Sequence, residues 1–320
     1  MKHLFIVNPT AGKYDHTQYF TNRIKAVCDP WQLDYEIRVS SHKGNCTELA
    51  REAGERGEEC RIYACGGDGT LNEVVCGAVG YPNLAVTHFP GGSGNDFIRI
   101  FDDPGAFSDL DRLLDPDEAL LDLIRVGDLG YSINICSIGI DARVAAAQSR
   151  YKRLPLISGS GAYNLSLVVN VLKGICRPYS VVLDGKTRHG QQTLICIANG
   201  RFYGGGWQPM PDAMPDDGML EVLVVKPVSL IQLLQVIGKY KHGNYRELPD
   251  IIRHYRVSEL RITSPQDRVI NADGEILDAS EIAFSVAKEK LRFFYPKGLS
   301  FAAKIKAFAR KEENASAISS

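Results

Sequence analysis

Apolar residues follow two different rhythms along this chain. In residues 1–125, short continuous apolar runs alternate with segments whose apolar positions recur every three or four residues. Leu4-Phe5-Ile6-Val7 is a continuous run, the mark of a strand covered on both faces. Residues 17–28 place Phe20, Ile24 and Val27 on one face of a helix. Tyr35–Val39 alternates like a less buried strand, and 46–57 reads as a helix. Arg61–Cys65 is then a strand, Leu71–Val79 a helix, and Leu84-Ala85-Val86 a strand running into the turn Pro90–Gly94. Strand–helix alternation of this kind predicts a mostly parallel sheet with helices on both faces. Such sheets bind ligands beyond the carboxyl ends of their strands, where the loops 8–13, 66–70 and 90–96 fall.

The rhythm changes near residue 120. β-rich runs follow at 120–126, 131–137, 179–183, 193–198, 219–225, 256–263, 268–272 and 281–286. Helical patterns interrupt them at 142–150, 160–173 and 228–241. Short strands with frequent turn signals predict a second, largely antiparallel β domain. The tail 299–311 is helical again, with Phe301, Ile305 and Phe308 on one face. Residues beyond Glu312 are small and polar and read as a frayed end. No internal repeat is visible.

Composition changes this picture little. The chain has 320 residues, 44% hydrophobic and 23% charged, with a formal net charge of −1. That size fits roughly two domains of about 150 residues each, and the balance gives no argument for nucleic acid. Eight cysteines lie at 28, 46, 60, 65, 76, 136, 176 and 196 without a Cys-x-x-Cys pair. They read as reduced, buried thiols of a cytoplasmic protein. No signal-peptide pattern opens the chain, and the longest apolar stretch, 165–172, falls far short of the ~20 residues a membrane span needs.

The sharpest chemical signal is Gly66-Gly67-Asp68-Gly69-Thr70, set directly after a strand and before a helical segment. Glycines let backbone N–H groups approach an anion, and a helix start adds donors and a positive dipole end. Asp68 would repel a bare phosphate, so the combination points to a metal–nucleotide site. A tight turn with Asp68 capping the helix is the plain alternative. The third glycine of a dinucleotide fingerprint is missing, since Asn72 stands there. Asn8-Pro9-Thr10-Ala11-Gly12-Lys13 is not a P-loop: Val7 and Tyr14 occupy two required positions. Turn chemistry alone accounts for it. Pro90-Gly91-Gly92-Ser93-Gly94-Asn95-Asp96-Phe97 is a second glycine-rich turn with a carboxylate, one βαβ unit later. Asp212-Ala213-Met214-Pro215-Asp216-Asp217-Gly218-Met219 is oxygen-rich, suited to a hard cation or to a hairpin entry. Asp273-Gly274-Glu275 sits between two apolar runs, where Asp-Gly is an ordinary hairpin turn.

In order and spacing these motifs resemble the diacylglycerol kinase-type lipid kinases, the soluble bacterial enzymes related to sphingosine kinases. The resemblance rests on Asn8-Pro9-x-x-Gly12, Gly66–Glu73, Gly92–Arg99, Asn199-Gly200 with Gly204-Gly205-Gly206, 212–220 and Asp273-Gly274-Glu275. One departure is Gly92-Ser93-Gly94-Asn95-Asp96, where family members often carry Gly-Thr-x-Asn-Asp; Ser keeps the hydroxyl.

The resemblance implies an α/β fold. An N-terminal doubly wound nucleotide domain (1–125) would face a C-terminal β-sandwich-like acceptor domain (126–297) across a cleft holding the active site. A C-terminal helix (298–312) would pack back on the first domain. It implies that Asn8, Pro9, Thr10, Gly12, Lys13, Ser40, Gly66, Gly67, Asp68, Gly69, Thr70, Asn72, Glu73, Gly92, Ser93, Asn95 and Asp96 hold ATP. Asp68, Asp96 and Asp122 would organise a catalytic Mg²⁺. Asp217, with backbone carbonyls of Met214 and Met219, would hold a structural Mg²⁺. Asp273 would take the proton of the lipid hydroxyl as an ordinary carboxylate of pKa about 3.9, with Glu275 beside it. The expected acceptor is an amphipathic lipid met at a membrane surface, diacylglycerol foremost. Ile138, Ile140, Leu154, Leu156, Ile157, Phe202, Tyr203 and Trp207 are candidates to line an acyl cleft, and core packing is the plain alternative for each. Arg150, Lys152 and Arg153, or Lys304, Lys306, Arg310 and Lys311, are candidate headgroup contacts. Competing functions are a kinase for a soluble acceptor such as NAD, a non-catalytic nucleotide or lipid sensor, and, more distantly, an oxidoreductase. Oligomeric state is left open.

Overall fold

The computed structural model describes residues 1–10, 15–151, 166, 169–171, 174–183 and 185–300. The expected helix 298–312 lies outside these residues beyond Ser300, as do Gly12, Lys13, most of 160–173, Lys152, Arg153, Leu154, Leu156, Ile157 and the basic tail positions.

The first unit is a six-stranded sheet. Strands β1 (Lys2–Val7), β2 (Tyr35–Val39), β3 (Cys60–Gly66) and β4 (Leu84–Pro90) run parallel, in the order β2-β1-β3-β4. Helices α1 (Thr17–Cys28), α2 (Asn45–Glu55) and α3 (Asp68–Ala78) connect them. β1 and β3 are almost wholly buried, which is why they read as unbroken apolar runs. Short helix α4 (Leu110–Leu114) leads into β5 (Pro116–Leu121) at the sheet's far edge.

The second unit is a sandwich of two six-stranded antiparallel sheets. One holds β6 (Ile124–Val126), β7 (Gly130–Ser132), β9 (Arg177–Leu183), β10 (Lys186–Gln192), β14 (Glu259–Thr263) and β17 (Glu281–Val286). The other holds β8 (Ile135–Gly139), β11 (Leu194–Ala198), β12 (Leu220–Val225), β13 (Ile252–Val257), β15 (Val269–Ala272) and β16 (Glu275–Asp278). β11 shows the period of two plainly. Ile195 and Ile197 enter the core between the sheets, whereas Leu194, Cys196 and Ala198 join a separate cluster on the outer face. Ile140 and Val144 of α5 (Ile140–Tyr151) and Leu233, Val236 and Tyr240 of α6 (Leu230–Lys241) belong to that outer cluster. A complete capping box at Ser229 and Gln232 starts α6.

Three sequence runs divide where the chain changes sheet. The run 120–126 splits at Asp122-Leu123, its first part closing the parallel sheet and its second entering the sandwich. Likewise 131–137 breaks at Ile133-Asn134, and 256–263 at Ser258. The span 126–297 is also corrected at its end. β18 (Leu291–Pro296) leaves the sandwich and inserts between β4 and β5, parallel to one and antiparallel to the other. Phe293 and Phe294 are fully buried there. Gly298 N–H then donates to Asp117 Oδ2 (2.9 Å) and Ser300 N–H to Asp102 Oδ1 (3.0 Å), holding the chain against the first unit.

Two chain crossings therefore join the units, and they are tied together. Ala287 N–H donates to the Leu123 carbonyl (2.8 Å). Lys290 Nζ bonds Asp122 Oδ1, and the Asp122 side chain is completely buried.

Candidate active site

The two glycine-rich turns meet at the carboxyl ends of β3 and β4. The helix after β3 starts earlier than the apolar pattern predicts, so Asp68 is the first residue of α3 rather than part of an open loop. The positive end of that helix favours its charge. Gly66 carbonyl accepts Gly91 N–H (2.7 Å) and Gly92 N–H (3.2 Å), and His88 Nε2 lies 2.9 Å from it. Burial holds the His88 pKa below its ordinary value, so the neutral ring donates from Nε2 and one carbonyl fixes both turns. The backbones are too close for side chains: a Cβ on Gly92 would lie 2.5 Å from Gly67 Cα. Asn8 extends the link to the first loop. Its Nδ2 donates to Thr70 Oγ1 (3.0 Å), and its Oδ1 accepts from Thr10 N–H (3.0 Å) and hydroxyl (2.8 Å).

Asp68 and Asp96 lie together between these turns. Asp96 N–H donates to Asp68 Oδ1 at 2.5 Å. A Cβ on Gly94 would stand 2.6 Å from Asp68 Oδ2 and 3.5 Å from Asp96 Oδ2, so glycine keeps that space open. Burial, and then the charge of Asp68, raises the Asp96 pKa against the opposing pull of Gly205 N–H and Arg99. Asp96 Oδ2 accepts Gly205 N–H (2.7 Å) from the sandwich. Its Oδ1 accepts no hydrogen bond among the described residues and has only an ion pair to Arg99 Nε at 3.3 Å. Among the described residues no group of three or more His, Cys, Asp or Glu is placed to hold a metal. Mg²⁺ does not require one, because it keeps several waters and binds one or two carboxylates plus substrate phosphates. The Asp68–Asp96 pair, with one under-satisfied buried oxygen, fits that pattern.

Asp273 faces the same space from the sandwich. It occupies the turn between β15 and β16 in a left-handed conformation (φ 48°). The break between β7 and β8 frees three amides from the ladders, and the Asp273 carboxylate gathers them. Oδ2 accepts Ser132 Oγ–H (2.8 Å), Ile133 N–H (2.8 Å) and Asn134 N–H (3.1 Å), and Oδ1 accepts Ile135 N–H (2.9 Å). Oδ2 is saturated, while Oδ1 keeps a lone pair for another donor. The pKa is not ordinary: burial outweighs the four donors and pushes it up to about 6.

Asp68, Asp96 and Asp273 line one cavity of about 780 Å³ between the units. Much of its lining is apolar, built from Ile140 and Val144 of α5, Leu194 and Val225 of the sheet, and Leu233, Val236 and Ile237 of α6. Asp141 also lines it, accepting Tyr203 Oη–H at 3.1 Å. Burial pushes the Asp141 pKa up to about 6.

A family model described as the diacylglycerol kinase catalytic domain matches residues 2–126, and one described as the YegS C-terminal NAD kinase beta sandwich-like domain matches 134–295. The chain belongs to the diacylglycerol kinase-type lipid kinase family. A Staphylococcus epidermidis protein named "Putative lipid kinase" is 28% identical over 245 residues, 75% of this chain and 79% of its own length. A Staphylococcus carnosus protein of the same name is 25% identical over 287 residues, 86% of this chain and 89% of its own. The crystal structure of a "putative diacylglycerol kinase" from Bacillus anthracis has the same fold. Its TM-score is 0.71 at 22% identity, covering 92% of this chain and 98% of that one.

Within this lipid kinase fold several expected site residues lie elsewhere. Asp122 does not line the cavity that Asp68 and Asp96 share. It sits under the 212–219 turn, accepting Gly218 N–H (2.8 Å) at Oδ2 and Lys290 at Oδ1. Asp217, expected on a structural Mg²⁺, is instead paired with Arg256 (2.6 Å) and accepts Met219 N–H (3.0 Å). Met214 Sδ takes Arg201 Nη2 (3.1 Å), and Arg201 is itself fully buried. Protein cations thus flank this turn, Arg256 on the Asp217 carboxylate and Arg201 on the Met214 sulfur. Glu275 pairs with Lys43 of the first unit (2.7 Å) rather than supporting Asp273. Glu73 accepts Gly44 N–H (3.1 Å) at the start of α2, away from the turns. Ser40 is buried beside the Cys46 thiol. Asn72 is buried with no bond to its Oδ1 among the described residues. Of the acyl-cleft candidates, Ile140, Tyr203 and Trp207 line the cavity. Ile138 belongs to the sandwich core, and Phe202 packs on the first unit's core.

Asp141 and His88 escape sequence reasoning. Asp141 follows Gly139-Ile140 at a helix start and passes for a cap, and His88 hides inside an apolar strand.

Proposed function

We propose that the protein transfers the γ-phosphoryl group of ATP to a lipid hydroxyl, with diacylglycerol the leading acceptor and phosphatidic acid the product. The observation that carries this reading is the meeting of Asp68, Asp96 and Asp273 on one cavity that is otherwise lined largely by apolar side chains. The apolar lining favours a lipid over NAD. ATP would lie along the turns 66–70 and 92–96, its phosphates near the start of α3. Mg²⁺, when bound at Asp68 and Asp96, supplies positive charge to the phosphate oxygens.

Asp273 Oδ1 receives the acceptor's hydroxyl proton as the acceptor oxygen bonds to the γ-phosphorus. The bond from that phosphorus to the β–γ bridging oxygen breaks, and ADP leaves with its electron pair. Phosphoryl transfer has a loose transition state, so positioning carries most of the burden and the proton moves late. A carboxylate of pKa about 6 is mostly ionised at neutral pH and is a better base than an ordinary aspartate. Oδ2, clamped by three donors, fixes the direction of Oδ1.

Lipid substrate implies contact with a membrane surface during turnover, and among the described residues no helix is long and apolar enough to cross one. Labelled ATP, Mg²⁺ and mixed micelles of candidate lipids should yield labelled phospholipid. Phosphate transfer to NAD alone, or tight ATP binding without transfer to any hydroxyl lipid, refutes this assignment.

A further inference from the structure

A second pocket, of about 480 Å³, shares no lining residue with the cleft. It opens where β10 and β13, each the edge strand of its own sheet, come together at one side of the sandwich. Arg188 of β10, Arg253 and His254 of β13, and Arg246 of the preceding turn face it, and no carboxylate lines it. In a chain with 37 basic and 38 acidic residues, three guanidiniums around one concavity are a local excess of one sign.

Two of the three are held in place. The Arg188 guanidinium lies over the Tyr255 ring at 5.2 Å, and that of Arg246 over the Tyr245 ring at 5.2 Å. Arg246 is also paired with Asp212 at 3.1 Å, and Tyr245 Oη–H holds the same carboxylate at 2.6 Å. His254 is turned to Glu221. Arg188 and Arg253 have no carboxylate partner among the described residues. Guanidiniums present paired donors in a fixed fork that matches phosphate oxygens, and stacking on a ring removes part of the freedom lost on binding.

We infer that this pocket is an accessory site for a phosphate group, carried by an anionic lipid headgroup or by a soluble phosphate. Arg188 and Arg253 supply the uncompensated charge, and Arg246 fixes the third side. The site requires no chemistry in the cleft, so binding measurements test it whether or not the protein is a kinase.

The full chain should be tested by calorimetry with inorganic phosphate and by flotation with phosphatidylcholine vesicles, with and without phosphatidic acid. The Arg188→Gln/Arg253→Gln variant should lose at least tenfold in affinity for the probe that binds, with ATP affinity unchanged. A Lys25→Gln/Arg51→Gln variant, equal in charge but on α1 and α2, should bind as the parent does. Binding only to phosphatidic acid vesicles identifies a headgroup, and saturable binding of inorganic phosphate identifies a soluble ligand. Failure of the parent to bind either probe, or equal losses in both double variants, overturns the inference.

Discussion

Replacing Asp273 by Asn tests the proposed chemistry at its centre. The carboxylate accepts four hydrogen bonds, three at Oδ2 and one at Oδ1. Asn has one acceptor oxygen. Turned toward the three donors, it sets its NH₂ against Ile135 N–H, and that bond is lost at a cost of about 1–3 kcal/mol. A second effect opposes this. Burial moves the acid from its usual 3.8 to about 6, and each unit is worth about 1.4 kcal/mol. Removing the buried charge therefore returns about 3 kcal/mol at neutral pH. The shift is already net of the four donors, so the two terms overlap and set only a range: Asp273→Asn should stay folded, within about 3 kcal/mol of the parent. The sign of the pH effect follows from the same shift. Between about pH 3.8 and 6 the folded chain holds a proton that the unfolded chain has released, so this group's contribution to stability falls as pH rises through that window. The variant's stability should be flatter there.

Turnover should behave differently from stability. With labelled ATP and diacylglycerol micelles, loss of the base should cost about 10²–10⁴ in rate. The parent's rate should climb with pH around an apparent pKa near 6, and the variant should lack that limb. Asp141 titrates in the same range in the same cavity, so Asp141→Asn must keep the limb for the assignment to hold. A folded Asp273→Asn enzyme turning over within tenfold of the parent, with the limb intact, removes Asp273 from the chemistry.

Three other substitutions probe the surrounding design. Gly94→Ala puts a methyl 2.6 Å from Asp68 Oδ2; it should raise the Mg²⁺ requirement for ATP binding roughly tenfold, as displaced metal-site geometry does, read as a Mg²⁺ titration of nucleotide affinity. Lys290→Met leaves the buried Asp122 carboxylate without its cation and should cost about 3 kcal/mol in urea unfolding, while Asp122→Asn/Lys290→Met should recover most of it. Glu275→Gln breaks a largely exposed pair with Lys43; stability should move by no more than about 0.5 kcal/mol and turnover should match the parent, whereas a large rate loss would return Glu275 to the catalytic centre.

The parallel sheet was legible because its chemistry is local. A continuous apolar run such as Leu4–Val7 has few ways to be buried, and a glycine-rich turn after it marks a ligand edge. The turns at 66–70 and 92–96 were visible for the same reason: each is a short departure from ordinary strand or helix composition, whereas Asp273 was singled out only by the family resemblance. What local pattern does not encode is which buried charges face one another. Asp122, Asp217 and Glu275 carry the residue type a metal or catalytic site needs, but Lys290, Arg256 and Lys43 lie 168, 39 and 232 positions away in the chain (290 − 122, 256 − 217 and 275 − 43) and reach them only through the fold. The run 120–126 hid its division because either half alone satisfies an apolar pattern, and only the return of β18 to the first sheet decides which half belongs where. The pKa of Asp273 was illegible for a related reason. Turn chemistry accounts for an Asp-Gly pair at that position, but the shift depends on three amides freed 138–140 residues earlier, at the break between β7 and β8. An aspartate in a hairpin becomes a candidate base only when another part of the chain closes over it, so its reactivity is a property of the sandwich and not of the motif.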